Sequence, residues 1–192
     1  WFEQALGRSL RQIAEEFRSY RISEAFKEAY RLFWDDFSGL YLEMVKPAYG
    51  APIDGRTLAQ AKGFFDALMR VLHPFMPFVT EEIWQALAER AEGASICVAP
   101  MPEPCEADEA MLARFELVKE IISAVRNVRN QKNLPQKEAL ALHVIADENY
   151  PAEFAPVIRK MANLSAIESV AEKDPAAAAF LVKTTQYFIP LQ

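Results

Sequence analysis

Histidine, cysteine and glycine are scarce in this chain, and each shortage removes a class of chemistry. Its 192 residues include 2 histidines, His73 and His143, 2 cysteines, Cys97 and Cys105, and 6 glycines. Two cysteines cannot build a disulfide framework. With no histidine near either of them in sequence, they do not supply a zinc set, so the expected setting is reducing and cytoplasmic. The few glycines fall into no P-loop, no G-x-G-x-x-G and no G-x-S-x-G pattern. No apolar run approaches the roughly 20 residues of a membrane span, and no signal-peptide pattern opens the chain. Positive charge is in deficit too, with 21 Lys and Arg against 27 Asp and Glu, a net charge of −6. That deficit argues against indiscriminate nucleic-acid binding while leaving room for a local basic patch. The carboxylate pairs Asp35-Asp36 and Glu81-Glu82 are adjacent in sequence, so on a helix they point in different directions and make poor acid/base pairs. No catalytic or metal set results, and the chain alone is expected to be non-catalytic. It opens on Trp1-Phe2 with no methionine, as a piece of a longer protein would.

What is present is apolar and helical in pattern. At 52% hydrophobic the chain can bury one core of good size, or a larger core with a smaller satellite. The stretch L-H-P-F-M-P-F-V-T-E-E-I-W, Leu72 to Trp84, is its organising corner. Pro74 and Pro77 lack backbone N–H groups and bias the preceding residue away from helix, so a helix arriving from the left stops near His73. Thr80 is expected to cap the next helix, with Glu81 and Glu82 in its first turn. Phe75, Met76, Phe78 and Val79 are expected to be buried, Trp84 to join the following helix, and His73 to be a hydrogen-bonded structural histidine.

In chain order, Phe2, Leu6, Leu10, Ile13 and Phe17 form the stripe of a first amphipathic helix. Arg8, Arg11 and Arg18 fall off that stripe, either as solvated charges or as a phosphate-contacting flank. Ser23 is read as the cap of a second helix with a stripe at Phe26, Tyr30, Phe33, Phe37, Leu40 and Met44. Trp34 and Tyr41 widen its apolar arc, so that the helix touches neighbours on two sides or leaves part of the arc for a partner. Pro47 ends it, and Y-G-A-P-I-D-G forms a loop. A third helix from about Thr57 uses Ala61, Phe65, Leu68 and Leu72, and a fourth uses Ile83, Trp84 and Leu87. Residues 1–90 therefore read as a helical bundle.

Residues 91–107 read as a proline-rich linker with a short strand at Ser95 to Val98. A long helix from about Asp108 to Lys132 follows, with Leu112, Phe115, Val118, Ile122, Val125 and Val128 or Arg129 inward, stopped at Pro135. Leu140, Leu142 and Val144 then alternate with Ala141, His143 and Ile145 as a half-buried strand, with His143 at the surface. A helix at 152–161, a strand near 166–170, and two runs at 180–182 and 187–189 turned at Lys183-Thr184-Thr185 complete a small α+β unit, residues 108–192, that leans on the long helix.

The corner L-H-P-F-M-P-F-V-T-E-E-I-W resembles the anticodon-binding helical domain of class I aminoacyl-tRNA synthetases for valine, leucine, isoleucine and methionine. F-W-D-D-F-S-G-L-Y-L-E-M-V-K-P, Phe33 to Pro47, looks like the W-x-x-F-x-x-W-Y-L-E-x-x-K-P of the valyl branch. V-R-N-V-R-N-Q-K-N-L-P, Val125 to Pro135, is similar to that branch's arginine-bearing helix end. Gly39-Leu40 departs from the pattern, where a second tryptophan is usual next to Tyr41. The resemblance covers nearly the whole chain.

The resemblance implies a mainly α fold, a synthetase helical bundle followed by the small α+β unit leading toward a coiled-coil arm. It implies a monomeric cytoplasmic enzyme that joins valine to its tRNA with ATP and edits mischarged threonine. The H-I-G-H and K-M-S-K-S type signatures and the editing domain are absent from this sequence, so the catalytic and editing domains would be partners in the same polypeptide, and no cofactor is expected here. Reading an anticodon needs apolar or aromatic platforms for unstacked bases and nearby cations for phosphates. By resemblance Leu42 abuts the anticodon, and Lys46, one helical turn further on, is placed to contact a phosphate, against the alternative of helix-end packing and solvation. Arg8, Arg11, Arg126, Arg129 and Lys132 are the further candidates for tRNA contact. An anticodon domain of a leucyl or isoleucyl enzyme, and a helical adaptor with no RNA role, stay open as alternatives.

Overall fold

The computed structural model describes residues 1–191. The chain divides into two units, Trp1–Asp108 and residues 109–192.

The first unit is helical. α1 (Phe2–Arg18) buries Phe2, Leu6, Leu10 and Ile13, the stripe its sequence period predicts. The second helical segment does not follow its expected pattern. It starts as α2 (Ile22–Arg31) with Arg21 at the N-cap, so Ser23 lies inside the helix and caps nothing. It continues as a π-helix over Leu32–Tyr41 and ends in a single α-turn, α3 (Leu42–Val45). The Leu42 N–H donates to the Phe37 carbonyl, five residues back, the wider closure that defines a π-turn. The inward face is Ala25 and Ala29 in α2, then Leu32, Phe37 and Tyr41 in the π-helix, with Phe33 partly buried against the core. Phe26, Tyr30 and Trp34, at i+4 steps, lie on the solvent side instead, with the Tyr30 and Trp34 rings parallel at 6.2 Å. The core against this segment is aromatic: the Phe2 ring lies 5.3 Å from Phe37, 5.2 Å from Tyr41 and 4.9 Å from Phe64.

α4 (Gly55–Leu72) begins two residues before the expected Thr57, because Asp54 is its cap and accepts the Thr57 N–H at 2.9 Å. α5 (Pro77–Leu87) begins three residues before Thr80, with Pro77 in its first turn, where the missing N–H costs nothing. Thr80 is therefore not a cap: it is buried, and its hydroxyl donates to the Met76 carbonyl at 2.7 Å. His73 Nδ1 lies 2.8 Å from the same hydroxyl. Since that hydroxyl spends its proton on Met76, His73 carries the proton on Nδ1, the hydrogen-bonded structural histidine that its place before Pro74 suggested. Phe75 and Met76 are partly buried against the core, Phe75 within 5.0 Å of Phe26. Phe78 and Val79 are not buried: Phe78 is 88% exposed. The early start of α5 turns that ring outward. Trp84 is buried, with the Arg90 guanidinium 3.6 Å from its ring centre.

Residues 91–107 form a strap on this unit, with a 3₁₀ turn (Ile96–Val98) in place of the expected strand. Glu81 accepts from the Ser95 hydroxyl and the Ile96 N–H, Ile96 enters the core, and Arg70 donates to the Pro100 carbonyl at 2.8 Å. The strap then crosses α1, where Arg11 donates to the Cys105 carbonyl at 2.9 Å and Gln4 accepts the Asp108 N–H at 2.7 Å. Gly7 lets the strap lie close to α1, since a Cβ there would displace the Cys105 sulfur and crowd its carbonyl oxygen.

The second unit is α+β. α6 (Glu109–Gln131) buries Leu112, Phe115, Val118, Ile122, Val125, Val128 and Arg129. A four-stranded sheet in the order β2-β1-β4-β3 follows, from β1 (Leu140–Ile145), β2 (Leu164–Ser169), β3 (Ala178–Val182) and β4 (Thr185–Ile189). β1 and β2 are parallel, joined through a 3₁₀ turn (Ala152–Phe154) and α7 (Ala155–Met161), while β3 and β4 form an antiparallel hairpin. Its turn carries Lys183 at φ 50°. β1 alternates as its sequence predicts, and His143 is half-buried, 3.7 Å from Glu168. α6 packs on β3 and α7, and Arg114 ties it to the 3₁₀ turn before α7 through a two-bond grip on Glu153, at 2.7 and 2.9 Å.

Candidate nucleic-acid interface

In the first unit, the π-helix, the start of α3 and the middle of α4 flank a small, open cavity of about 250 Å³. Phe33, Phe37, Leu42, Ala61 and Phe65 line it, with Ser38 and Lys62 as its polar members. Phe37 and Phe65 are stacked at 5.8 Å with ring planes 7° apart, and Phe33 lies 6.3 Å from Phe65. Leu42 is 38% exposed at this site, so the residue that the Y-L-E stretch singled out lies where an unstacked base could lie against it. The cavity partners were not legible as a group in the sequence, because they come from segments some 28 positions apart. The signal was the i+4 relation of Phe33 and Phe37, both on the apolar stripe read for this segment, with Tyr41 one further step along.

Lys46 closes α3 and is paired with Glu43 at 3.1 Å on the surface. Arg11 is exposed and bonded to the strap. Arg8 is half-buried, and its charge acts on Glu28. Glu28 belongs to a network joining α1 to α2. Ser9 donates to it at 2.6 Å, and Arg31 donates to it at 2.7 and 2.9 Å and to buried Asp36 at 2.9 Å. Burial pushes the Glu28 carboxyl up, but hydrogen bonds from Arg31 and Ser9 outweigh it and hold the group below its ordinary value. The bond to Glu28 holds the Arg31 guanidinium above its own.

In the second unit, Arg126 and Lys132 are exposed, and Arg126 reaches the Met161 carbonyl at 3.4 Å. Arg129 does not belong with them. It is 1% exposed, and its two terminal nitrogens donate to the carbonyls of Pro135 and Glu138, at 3.0 and 2.8 Å, and of Ala162 and Asn163, at 3.2 and 2.8 Å. Burial lowers its pKa. All four terminal N–H groups are spent on carbonyls, so Arg129 is withdrawn from the RNA-contacting set and is a structural clamp. Nothing in the spacing of V-R-N-V-R-N separates it from Arg126. The helical phase does, since Arg129 follows Ile122 and Val125 on the buried face.

Among the described residues, no group of three His, Cys, Asp or Glu could hold a metal ion, and no helix is long and apolar enough to cross a membrane.

The first unit is thus a helical module whose proline corner is pinned by a His–Thr pair and which carries an apolar, lysine-edged cavity at its solvent side. Residues 1–146 match the family described as the anticodon-binding domain of tRNA ligase, and the chain belongs to that family. Over its whole length it is 52% identical to a valine–tRNA ligase of Parabacteroides distasonis, 48% to one of Porphyromonas gingivalis and 32% to one of Gloeobacter violaceus. It spans about a fifth of the length of these relatives, 22% in each case.

Proposed function

We propose that this chain is the anticodon-recognising part of a valine–tRNA ligase, reading valine tRNA while other domains of the same polypeptide activate valine with ATP and edit. The observation that carries the reading is the placement of Leu42. It is an exposed apolar side chain on a cavity of stacked phenylalanines in a chain of this family, and the relatives sharing about half its residues are valine–tRNA ligases. A base lying against Leu42 would meet an apolar platform with the Lys62 ammonium beside it for a phosphate. Lys46, one helical turn on, serves a phosphate and therefore contributes affinity without sequence information. A cytoplasmic monomer is the assembly this reading expects, with no cofactor held by these residues.

The test is a binding titration with valine tRNA and a copy carrying an altered anticodon, each at two salt concentrations. Leu42→Ala should cost about 1–3 kcal/mol for the native anticodon and erode discrimination between the two RNAs. Lys46→Ala should weaken both about equally and flatten the salt slope by about 1. Discrimination intact in Leu42→Ala would refute the assignment of the reading surface.

A further inference from the structure

The second unit holds a concentration of positive charge that the reading above does not use. Four consecutive carbonyls at the end of α7 and the start of β2 are each taken by an arginine. Arg126 donates to Met161, Arg129 to Ala162 and Asn163, and the Arg159 Nε to Leu164 at 3.3 Å. The carbonyls at a helix C-terminus carry a partial negative charge that would repel an anion. Here three guanidinium groups neutralise it. Beside this run lies a cleft of about 670 Å³, lined by Arg159, Lys160 and Asn163 with Pro156, Leu164 and Ile167. The two titratable groups on its wall are both cations, in a chain whose net charge is −6. The Glu138 carboxylate acts on Arg129, which is buried behind the cleft. Arg159 and Lys160 are exposed. The bond to Leu164 holds one edge of the Arg159 guanidinium and leaves its terminal nitrogens to serve an acceptor.

We propose that the α7–β2 cleft binds backbone phosphates of the same RNA, with Arg159 and Lys160 as the contacting cations and Arg126 beside them. This rests on the RNA-reading function above and adds to it a site that carries affinity and no anticodon information. A cleft walled by charge of one sign focuses its field, and a guanidinium with a fixed edge offers a phosphate two parallel donors. The chemistry is that of a phosphate oxygen, which a free phosphate also presents, and the test separates the two.

The experiment compares the wild-type chain with Arg159→Gln/Lys160→Gln, and with Arg56→Gln/Lys119→Gln, which removes the same charge elsewhere. Each is titrated with valine tRNA of native and altered anticodon across a salt series, after thermal melts have established folding. The cleft variant should bind both RNAs more weakly to the same degree. Its log Kd against log salt should be shallower by about 1.5, at about 0.7–0.9 per lost phosphate contact. The control pair should leave the slope unchanged. If the double variant does not fold, Lys160→Glu, which keeps the Arg159 bond to Leu164, should give the same loss. Inorganic phosphate alone, titrated by calorimetry, should show no saturable binding at millimolar concentration. Unchanged affinity and slope in a folded cleft variant, with Leu42-dependent discrimination intact, would overturn the phosphate site alone. Saturable phosphate binding that needs Arg159 while RNA affinity stays unchanged would replace the RNA with a small phosphate. A wild-type chain that binds no RNA would overturn both readings.

Discussion

Replacing Arg129 by alanine separates its two possible roles. The substitution strands four carbonyls that a guanidinium now satisfies, at 2.8 to 3.2 Å. Hydrogen bonds to a charged group are worth about 1.5–3 kcal/mol each, and a buried acceptor left alone costs about 1–3 kcal/mol. The carbonyls of Pro135, Glu138 and Asn163 belong to exposed residues and can recruit water, whereas that of Ala162 cannot so easily. Discounting the three, the expected loss is about 3–5 kcal/mol, the range for removing one partner of a buried charged network. A unit of this size has about 4–13 kcal/mol in total, so the loss is a large fraction of its stability. Tryptophan fluorescence would miss it, because Trp1, Trp34 and Trp84 all lie in the first unit. The assay is therefore amide exchange in β1 and β2 across a urea series, where a change of this size moves the midpoint by about 1–5 M. Arg129→Lys keeps the charge but cannot span four acceptors, and it should lose most of the same stability. If Arg129→Ala exchanges like the wild type while its RNA affinity falls, the clamp assignment is wrong and the arginine reads RNA after all.

At the corner, Phe78→Ala should cost under about 0.5 kcal/mol because the ring is in solvent, while Phe75→Ala should cost about 2–3 kcal/mol for a partly buried ring; equal denaturant midpoints for the two would contradict the observed packing. Because the folded Glu28 carboxyl titrates below its ordinary value, the stability it contributes is complete above about pH 4.5 and lost as pH falls through its folded value. Tryptophan-monitored melts between about pH 5 and pH 3 should therefore fall more steeply in wild type than in Glu28→Gln, and identical slopes would remove Glu28 from the acid response.

Periodicity determined much of this protein by itself. The α1 stripe, the buried face of α6 and the alternation of β1 all stand where the sequence places them, because a repeating apolar spacing has one solution for its inward face. The prolines likewise placed the corner, since a missing N–H and a fixed φ act locally. Family resemblance marked Leu42 from a short motif, but the cavity beside it needed α4 brought against the π-helix. Tertiary structure decided what periodicity left open. α2 buries Ala25 and Ala29 and so leaves Phe26 and Tyr30 in solvent, and the wider π-turn then carries the inward face from Leu32 to Phe37 and Tyr41 while Trp34 stays outside, a change of helical pitch that a period of 3.6 does not anticipate. The strap of residues 91–107 found its partners through Glu81, Arg70 and Gly7, contacts between positions far apart in the chain. Arg129 and Arg126 are the same residue type three positions apart on one helix; helical phase already offers Arg129 to the buried face, and the carbonyls folded around it turn it into a clamp while its neighbour stays at the surface. Local rules set what each residue can do. Which partner it meets depends on segments the local sequence does not contain.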